Sequence, residues 1–289
     1  MKPPVFKYHD PSTLEEALVL LASLGDDAKV LAGGQSLMPL LNFRLARPAH
    51  LIDINGIAEL RGVSPQADGL RLGAMVRQRE LERSGLIAEA CAPLSQAMPL
   101  IGHPQIRNRG TLGGSLAHAD PAAELPAVML AADARIVLQS TSGQRVIAAD
   151  EFFLGELTTA LRADELIVGV EVPRLPERTG TSVQEIAVRL GDFALAGVVC
   201  CVTLGSRGVV ERARIVCFGI AARPMRMREA EALIVGQTPE EARLGEAGRL
   251  VSANVQPVED MHASAAYRKR VCGVLAERAL RSAVKRVAA

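Results

Sequence analysis

The sequence predicts an α+β protein of two domains, on three observations. The chain has 289 residues, a length that suits one large domain or two ordinary ones. A stretch rich in Pro, Gly, Thr and charge, 173–182, reads as a linker. Beyond it strand patterns come first and helical patterns after, the order of a small α+β domain. The expected division is 1–176 and 177–289.

In the first part, Ser12-Thr13-Leu14-Glu15 reads as a capping box, with Ser12 as N-cap and Glu15 reaching back. Leu14, Ala17, Leu18, Leu21 and Leu24 mark one helical face, and Gly25 is the stop. Lys29 to Ala32 is a short strand. Ser36 stands where it could cap a brief helix through Leu41, with Pro39 tolerated in the first turn. Leu51 to Ile54, Leu60 to Val63 and Leu70 to Ala74 read as strands, with a turn at 64–69 between the last two. Arg77 to Glu82 and Leu86 to Met98 read as helices. Ala134 to Ser140 and Arg145 to Ala148 form a hairpin around Ser142-Gly143, and Glu165 to Val172 is a further strand ended by Pro173.

After the linker, strands are expected at Val183 to Arg189, Ala194 to Leu204 and Val209 to Ile220. Helices follow at Arg226 to Val235, Pro239 to Ser252 and Ser264 to Val287. The C-terminal domain is thus read as a three-stranded sheet plus helices.

Composition narrows the function classes. Apolar residues make up 49% and charged residues 22% of the chain, the balance of a soluble globular protein with a sizeable core. The formal charge of +1 supplies no field for nucleic acid or a membrane surface. Trp is absent and aromatics are 3%, too few for base-stacking platforms. No apolar run is long enough to span a bilayer, and Met1 to Phe6 carries no apolar h-region. The cysteines (91, 200, 201, 217 and 272) are odd in number and include no Cys-x-x-Cys. Buried free thiols in a reducing cytoplasm are the expectation, with Cys200 and Cys201 facing opposite sides of a strand. The histidines (9, 50, 103, 118 and 262) show no i, i+4 pairing, so no metal site is expected within the chain.

Two glycine-rich segments stand out: Ala32-Gly33-Gly34-Gln35-Ser36-Leu37 and Thr111-Leu112-Gly113-Gly114-Ser115-Leu116. Glycine lets backbone N–H groups approach a ligand closely. Successive N–H groups at such a turn form an anion nest, and a following helix start adds partial positive charge. Each segment alone is also compatible with an ordinary tight turn. Two copies beside apolar runs suggest two loops converging on one diphosphate.

At these residues the chain resembles the FAD-binding medium subunits of the molybdenum hydroxylases, the family of xanthine dehydrogenase and carbon monoxide dehydrogenase. Ala32 to Pro39 is similar to that family's first flavin loop, and Ile106 to Pro121 to its second. Arg189-Leu190-Gly191-Asp192-Phe193-Ala194-Leu195-Ala196-Gly197 is a third match. Tyr267-Arg268, followed by Arg278-Ala279-Leu280, is a fourth. The resemblance implies a two-part FAD-binding domain of the vanillyl-alcohol oxidase/PCMH type followed by the family's small C-terminal domain. FAD, held non-covalently, would lie between them. It implies a large molybdopterin subunit and a small subunit with [2Fe–2S] clusters as partners, in a dimer of heterotrimers. It also implies cytoplasmic electron transfer from those clusters through FAD to an external acceptor, with molybdopterin and iron–sulfur confined to the partners and no catalytic acid or base here.

The implied cofactor-binding set is Ala32, Gly33, Gly34, Gln35, Ser36, Leu37, Thr111, Leu112, Gly113, Gly114, Ser115, His118, Asp120, Glu124 and Ile167. Several of these have plainer roles open. Ser36, Thr111 and Ser115 are also helix caps. His118 is a core histidine, a cofactor neighbour or a site of covalent attachment. Asp120 caps the segment after Pro121 or accepts from the flavin ribityl. Ile167 and Val168 are strand core or a flavin contact. Arg107 and Arg109 are solvated charges or part of the loop. Arg278, Arg281, Lys285 and Arg286 complement a helix dipole or meet a partner.

The chain departs from the family pattern at four places. Ser115 replaces an Asn or Asp, Gln35 a His, Glu124 an Asp, and Gln184-Glu185 stands where a Lys is common. Two other function classes remain: a self-sufficient flavin oxidase or reductase of the same FAD fold, and a non-catalytic scaffold or nucleotide-sensing module.

Overall fold

The computed structural model describes residues 2–288. The chain opens with β1 (Lys7–His9), α1 (Leu14–Leu24), β2 (Ala28–Leu31), α2 (Leu37–Asn42) and β3 (His50–Asp53). The three strands make a small parallel sheet in the order β1-β3-β2. Its parallel pairs need crossovers, which the intervening helices supply. The N-cap of α1 is Thr13, not Ser12. The Thr13 side chain accepts from Glu16 N, and the Glu16 carboxylate accepts from Thr13 N. Ser12 donates to the same carboxylate through its N–H and its hydroxyl, so two adjacent hydroxyls and two adjacent glutamates allowed a slip of one.

The second unit holds β4 (Val63–Gln66), β5 (Gly69–Gly73), α3 (Gln78–Arg83), α4 (Gly85–Ala90), α5 (Ala92–Ala97), α6 (Pro104–Arg109), α7 (Leu112–His118), α8 (Glu124–Ala131), β6 (Arg135–Ser140), β7 (Gly143–Ala148), α9 (Ala149–Phe152), β8 (Phe153–Gly155), β9 (Thr158–Thr159) and β10 (Leu166–Pro173). Its main sheet is antiparallel, in the order β4-β5-β10-β6-β7. The expected strand over 60–63 is instead a 3₁₀ turn ending at Leu60, then Gly62 at φ 92°, then β4. The expected single helix over 86–98 breaks at Cys91, because Pro93 follows closely and its ring disfavours continued helix.

The last unit is β11 (Thr179–Ala187), β12 (Ala194–Leu204), β13 (Val210–Phe218), β14 (Met225–Arg226), α10 (Arg228–Ile234), α11 (Glu241–Asn254) and α12 (Ala265–Ala288). Three long antiparallel strands and the short β14 form one sheet. The linker is shorter than expected, since 179–182 already belongs to β11. Gly180 there is a packing residue: an added Cβ would overlap the Ala283 carbonyl of α12.

Every residue of β12 is buried. Val199 and Cys201 face a core shared with α5 and α8, while Val198, Cys200 and Val202 face the core under α11 and α12. A strand covered on both faces reads as a continuous apolar run. The core on the first of these faces also takes in Leu72, Leu116, Leu125 and Phe152, which joins the C-terminal sheet to the second unit. All five cysteines are buried and free, and burial pushes the Cys91 and Cys201 thiols up to about 12. Among the described residues no helix is long and apolar enough to cross a membrane, and no group of His, Cys, Asp and Glu could hold a metal ion.

Candidate functional site

The first glycine segment begins where β2 ends. Ile54 N bonds to Leu31 O at 3.1 Å, and the chain then turns away at Gly34, whose φ is 76°. The first helical bonds of α2 run from Met38 N to Gly34 O (3.0 Å) and from Leu40 N to Ser36 O (3.2 Å). Among the described residues the N–H groups of Gly34, Gln35, Ser36 and Leu37 have no acceptor. Ser36 takes the cap position, but its hydroxyl caps nothing. The result is a row of unsatisfied amides on a half-buried turn, which favours an anion.

The second segment is built differently. Thr111 is the N-cap of α7, and its Oγ1 accepts from Gly114 N at 3.1 Å. Leu112 N donates to Val76 O (3.0 Å), Gly113 N to Ala74 O (2.8 Å) and Ser115 N to Thr111 O (3.2 Å). These amides are already used. They bind the start of α7 to the chain leaving β5, and Gly113 is required because a Cβ would come within 2.7 Å of the Ala74 Cβ. What this segment leaves available is the Thr111 N–H, which has no acceptor among the described residues, the half-buried Ser115 and the bare Cα of Gly114.

The two segments touch. A Cβ on Gly33 would overlap the carbonyl oxygen of Arg109 and lie 2.9 Å from Gly110 Cα. A Cβ on Gly114 would lie 3.5 Å from the Ala32 Cβ. The two segments are therefore in contact, and most of the free amides belong to the first.

Around the contact lies a polar network that the sequence did not single out. Tyr8 Oη donates to Asp53 Oδ2 at 2.7 Å, and Asp53 Oδ1 accepts from Asn55 N (2.9 Å) and Nδ2 (2.6 Å). Asn55 Nδ2 also donates to Ala32 O at 2.8 Å. Arg77 donates to Asn55 Oδ1 at 2.5 Å and to Arg109 O. The Asp53 carboxylate sits below its usual range: burial opposes this, but the bonds from Tyr8 and Asn55 and the charge of Arg109 win. The hydrogen bond to Asp53 pushes Tyr8 up to about 12.

Arg107 is not a solvated charge. It is 6% exposed; its guanidinium bonds both Glu82 oxygens at 3.0 and 3.1 Å, and Ile101 O and Gly102 O at 2.9 and 3.0 Å. Arg109 is exposed. His118 ends α7 half-buried, and Asp120 Oδ1 accepts from Ala122 N at 2.8 Å within the following turn. Ile167 and Val168 are both buried in β10, on opposite faces of the sheet.

The third motif forms the loop from β11 to β12 and rests on the approach to α6: a Cβ on Gly191 would lie 2.8 Å from Gly102 O. Leu190 and Phe193 in this loop are exposed. In the fourth motif Arg268 is buried and donates to Leu195 O (2.7 Å), Gly219 O (3.1 Å) and Asp260 (2.6 Å), tying α12 to the sheet.

Glu124 begins α8 and is buried, facing Glu185 of β11. Burial first, then the charge of Glu185, pushes Glu124 up to about 8; burial alone raises Glu185 to about 7. Glu185 Oε2 has no hydrogen-bond partner. A carboxyl with a raised folded pKa contributes most below its unfolded value of about 4.3 and loses that contribution as pH climbs through the folded value. Wild type is therefore expected to lose stability between about pH 5 and pH 8. Glu124→Gln should flatten this slope, which thermal unfolding across that range measures; an unchanged slope would mean that Glu124 is charged when folded.

Residues 4–175 match the family described as the FAD binding domain in molybdopterin dehydrogenase, and residues 182–283 match the CO dehydrogenase flavoprotein C-terminal domain. The chain is 43% identical to the 6-hydroxypseudooxynicotine dehydrogenase complex subunit alpha of Paenarthrobacter nicotinovorans, covering 99% of this chain and 97% of that one. It superposes on the carbon monoxide dehydrogenase from Hydrogenophaga pseudoflava with a TM-score of 0.96 at 38% identity, covering 99% of each chain. Quinoline 2-oxidoreductase from Pseudomonas putida 86 gives 0.94 at 34% identity, again over 99% of each chain.

Proposed function

The chain belongs to the FAD-binding subunits of the molybdopterin dehydrogenase family, and from that premise we propose that it relays electrons within a larger complex. It takes them from the [2Fe–2S] clusters of a small partner subunit and delivers them, through FAD, to an external acceptor. A large molybdopterin subunit carries the substrate chemistry, and the assembly is a dimer of heterotrimers.

One observation carries this reading: four unsatisfied amides on the first glycine segment lie against the second segment, a cradle suited to a diphosphate. The residues present fit FAD. Gly34, Gln35, Ser36 and Leu37 would hold the diphosphate through their N–H groups, with Ala32 and Gly33 letting the second segment close over it. Thr111, Leu112, Gly113 and Gly114 would shape the facing wall, and Ser115 would add a hydroxyl. His118, Asp120, Glu124 and Ile167 would border the rest of the cofactor, between units 1–176 and 177–289. Bound FAD supplies the redox chemistry, accepting and passing on electrons; the protein binds, orients and tunes it electrostatically. Glu124, pushed up to about 8 by burial and by the charge of Glu185, would favour the protonated carboxyl next to the cofactor at neutral pH.

Relatives named for 6-hydroxypseudooxynicotine, carbon monoxide and quinoline align over nearly the whole chain. Substrate names that differ this much across one shared subunit support a role common to all of them, electron relay, over a substrate site here.

The test uses the FAD-loaded chain and the purified [2Fe–2S] subunit, reduced with dithionite and freed of excess reductant. On anaerobic mixing the flavin band should bleach within the mixing experiment and recover on adding a quinone, NAD or oxygen. Failure of the flavin to exchange electrons with the reduced partner would overturn the relay. Turnover of small organic substrates by the isolated chain would favour a self-sufficient oxidase.

A further inference from the structure

We infer that Asn55 and Arg77 are positioning residues: together they form a clasp that sets the spacing of the two glycine segments for FAD. The inference rests on the FAD reading above and adds to it two residues outside both glycine motifs.

The clasp runs from one backbone carbonyl to the other. Asn55 Nδ2 donates to Ala32 O at 2.8 Å, directly before Gly33-Gly34. Asn55 Oδ1 accepts from Arg77 at 2.5 Å, and the other terminal nitrogen of Arg77 donates to Arg109 O, directly before Gly110-Thr111. The amide of Asn55 is oriented by Asp53 Oδ1, which accepts from both its N–H and its Nδ2. Arg61 donates to the Asn55 carbonyl from the other side. A guanidinium is suited to the middle of such a chain, because its planar fork bonds two acceptors in fixed directions.

The carbonyls that the clasp holds are those on either side of the tightest contact between the segments. Gly33 lies against the Arg109 carbonyl so closely that no Cβ fits. Contact alone sets how near the segments can come; it does not stop them from parting. Two hydrogen-bonded links through Asn55 and Arg77 do. The first segment carries most of the free amides, while the second uses all of its own but that of Thr111, so the position of one against the other decides where a diphosphate can sit.

Charge points the same way. Arg77 lies beside the like charges of Arg61 and Arg109, with Asp53 opposing. Three guanidiniums coupled to one carboxylate leave a net positive charge at the clasp, which an anionic ligand relieves.

The experiment measures the FAD dissociation constant by titrating the deflavinated full chain, with thermal unfolding of the same samples and the visible circular dichroism of the FAD-saturated protein. Asn55→Ala and Arg77→Ala should each weaken FAD binding by about tenfold or more, the loss of a charge-assisted hydrogen bond. The double variant should be no weaker than the worse single one, because a chain broken at one link is already open. Arg77→Lys, which can reach one acceptor but not both, should fall between. Tyr8→Phe, which removes a bond to Asp53 but leaves the clasp, should lower the melting temperature and keep the dissociation constant within about twofold. Folded Asn55→Ala and Arg77→Ala variants that bind FAD as wild type does, with unchanged dichroism, would overturn the clasp. Additive losses would also overturn it, reducing the two residues to independent contacts. A wild-type chain that takes up no FAD would instead sink the FAD reading itself, and the clasp with it.

Discussion

Gly33→Ala is expected to empty the protein of flavin. The added Cβ would meet the Arg109 carbonyl oxygen, with Gly110 Cα at 2.9 Å and the Arg109 carbonyl carbon at 3.0 Å. All three are backbone atoms, so no rotamer change relieves the clash, and the two segments must part. Overpacking of this kind costs about 1–3 kcal/mol of stability. The larger effect falls on binding, because the amide row then faces the wrong place. A loss of affinity on the order of a hundredfold corresponds to about 3 kcal/mol. Gly34→Ala makes a useful contrast. Its strain comes from φ 76°, and its Cβ meets only the flexible side chains of Leu31 and Met38 at 3.3 Å. It should cost about 1–2 kcal/mol of stability and retain more flavin. Flavin content per chain after gel filtration, beside the melting temperature, separates the two; full occupancy in Gly33→Ala would mean that the segments do not jointly bind the cofactor.

Arg107→Ala is expected to be the most destabilising single change near the site. The guanidinium is 6% exposed and makes four bonds, two to Glu82 and two to the carbonyls of Ile101 and Gly102. Its loss strands a half-buried carboxylate, left with Arg79 alone at 2.6 Å, and two carbonyls. Breaking a buried pair by removing one partner costs about 3–5 kcal/mol. The helix it anchors, α6, ends at Arg109, so flavin should be lost with stability. The ion pair also has a pH signature. The bond from Arg107 holds Glu82 below the usual carboxylate range. A depressed carboxylate contributes stability above its unfolded value, about 4.3, and loses it as pH falls through the folded value. Wild type should therefore lose stability on acidification below about pH 4 more steeply than Arg107→Ala. Parallel curves would mean that the pair contributes nothing.

Much of the fold was legible because single segments carried their own signal. Ala194 to Leu204 coincides with β12, since a strand covered on both faces shows as an unbroken apolar run. Helix α8 was not legible for the opposite reason. All eight of its residues are buried, so it has no amphipathic period, and its N-cap Ala123 makes no side-chain bond. The linker was overread at Gly180, where the glycine serves close packing against α12. Within the site, the glycine segments announced themselves as motifs, yet their inequality did not. Only the fold shows that Ala74 and Val76 occupy the second segment's amides. Asn55 and Arg77 left no pattern at all, and Arg107 lay inside the second loop motif without showing that it is buried. The partners that place them at the site lie 22 to 32 residues away, and an isolated Arg or Asn in sequence is indistinguishable from a surface one.

Everything proposed for this chain depends on its holding FAD non-covalently as an electron-relay subunit. The most direct test is the visible spectrum of the purified chain before and after acid precipitation, with and without co-expressed partner subunits. A flavin spectrum is expected, with release of the flavin into the supernatant on precipitation and occupancy that rises with the partners. Flavin that stays in the pellet would rule out non-covalent binding, and a chain that remains colourless after reconstitution with FAD would rule out FAD binding and the relay with it.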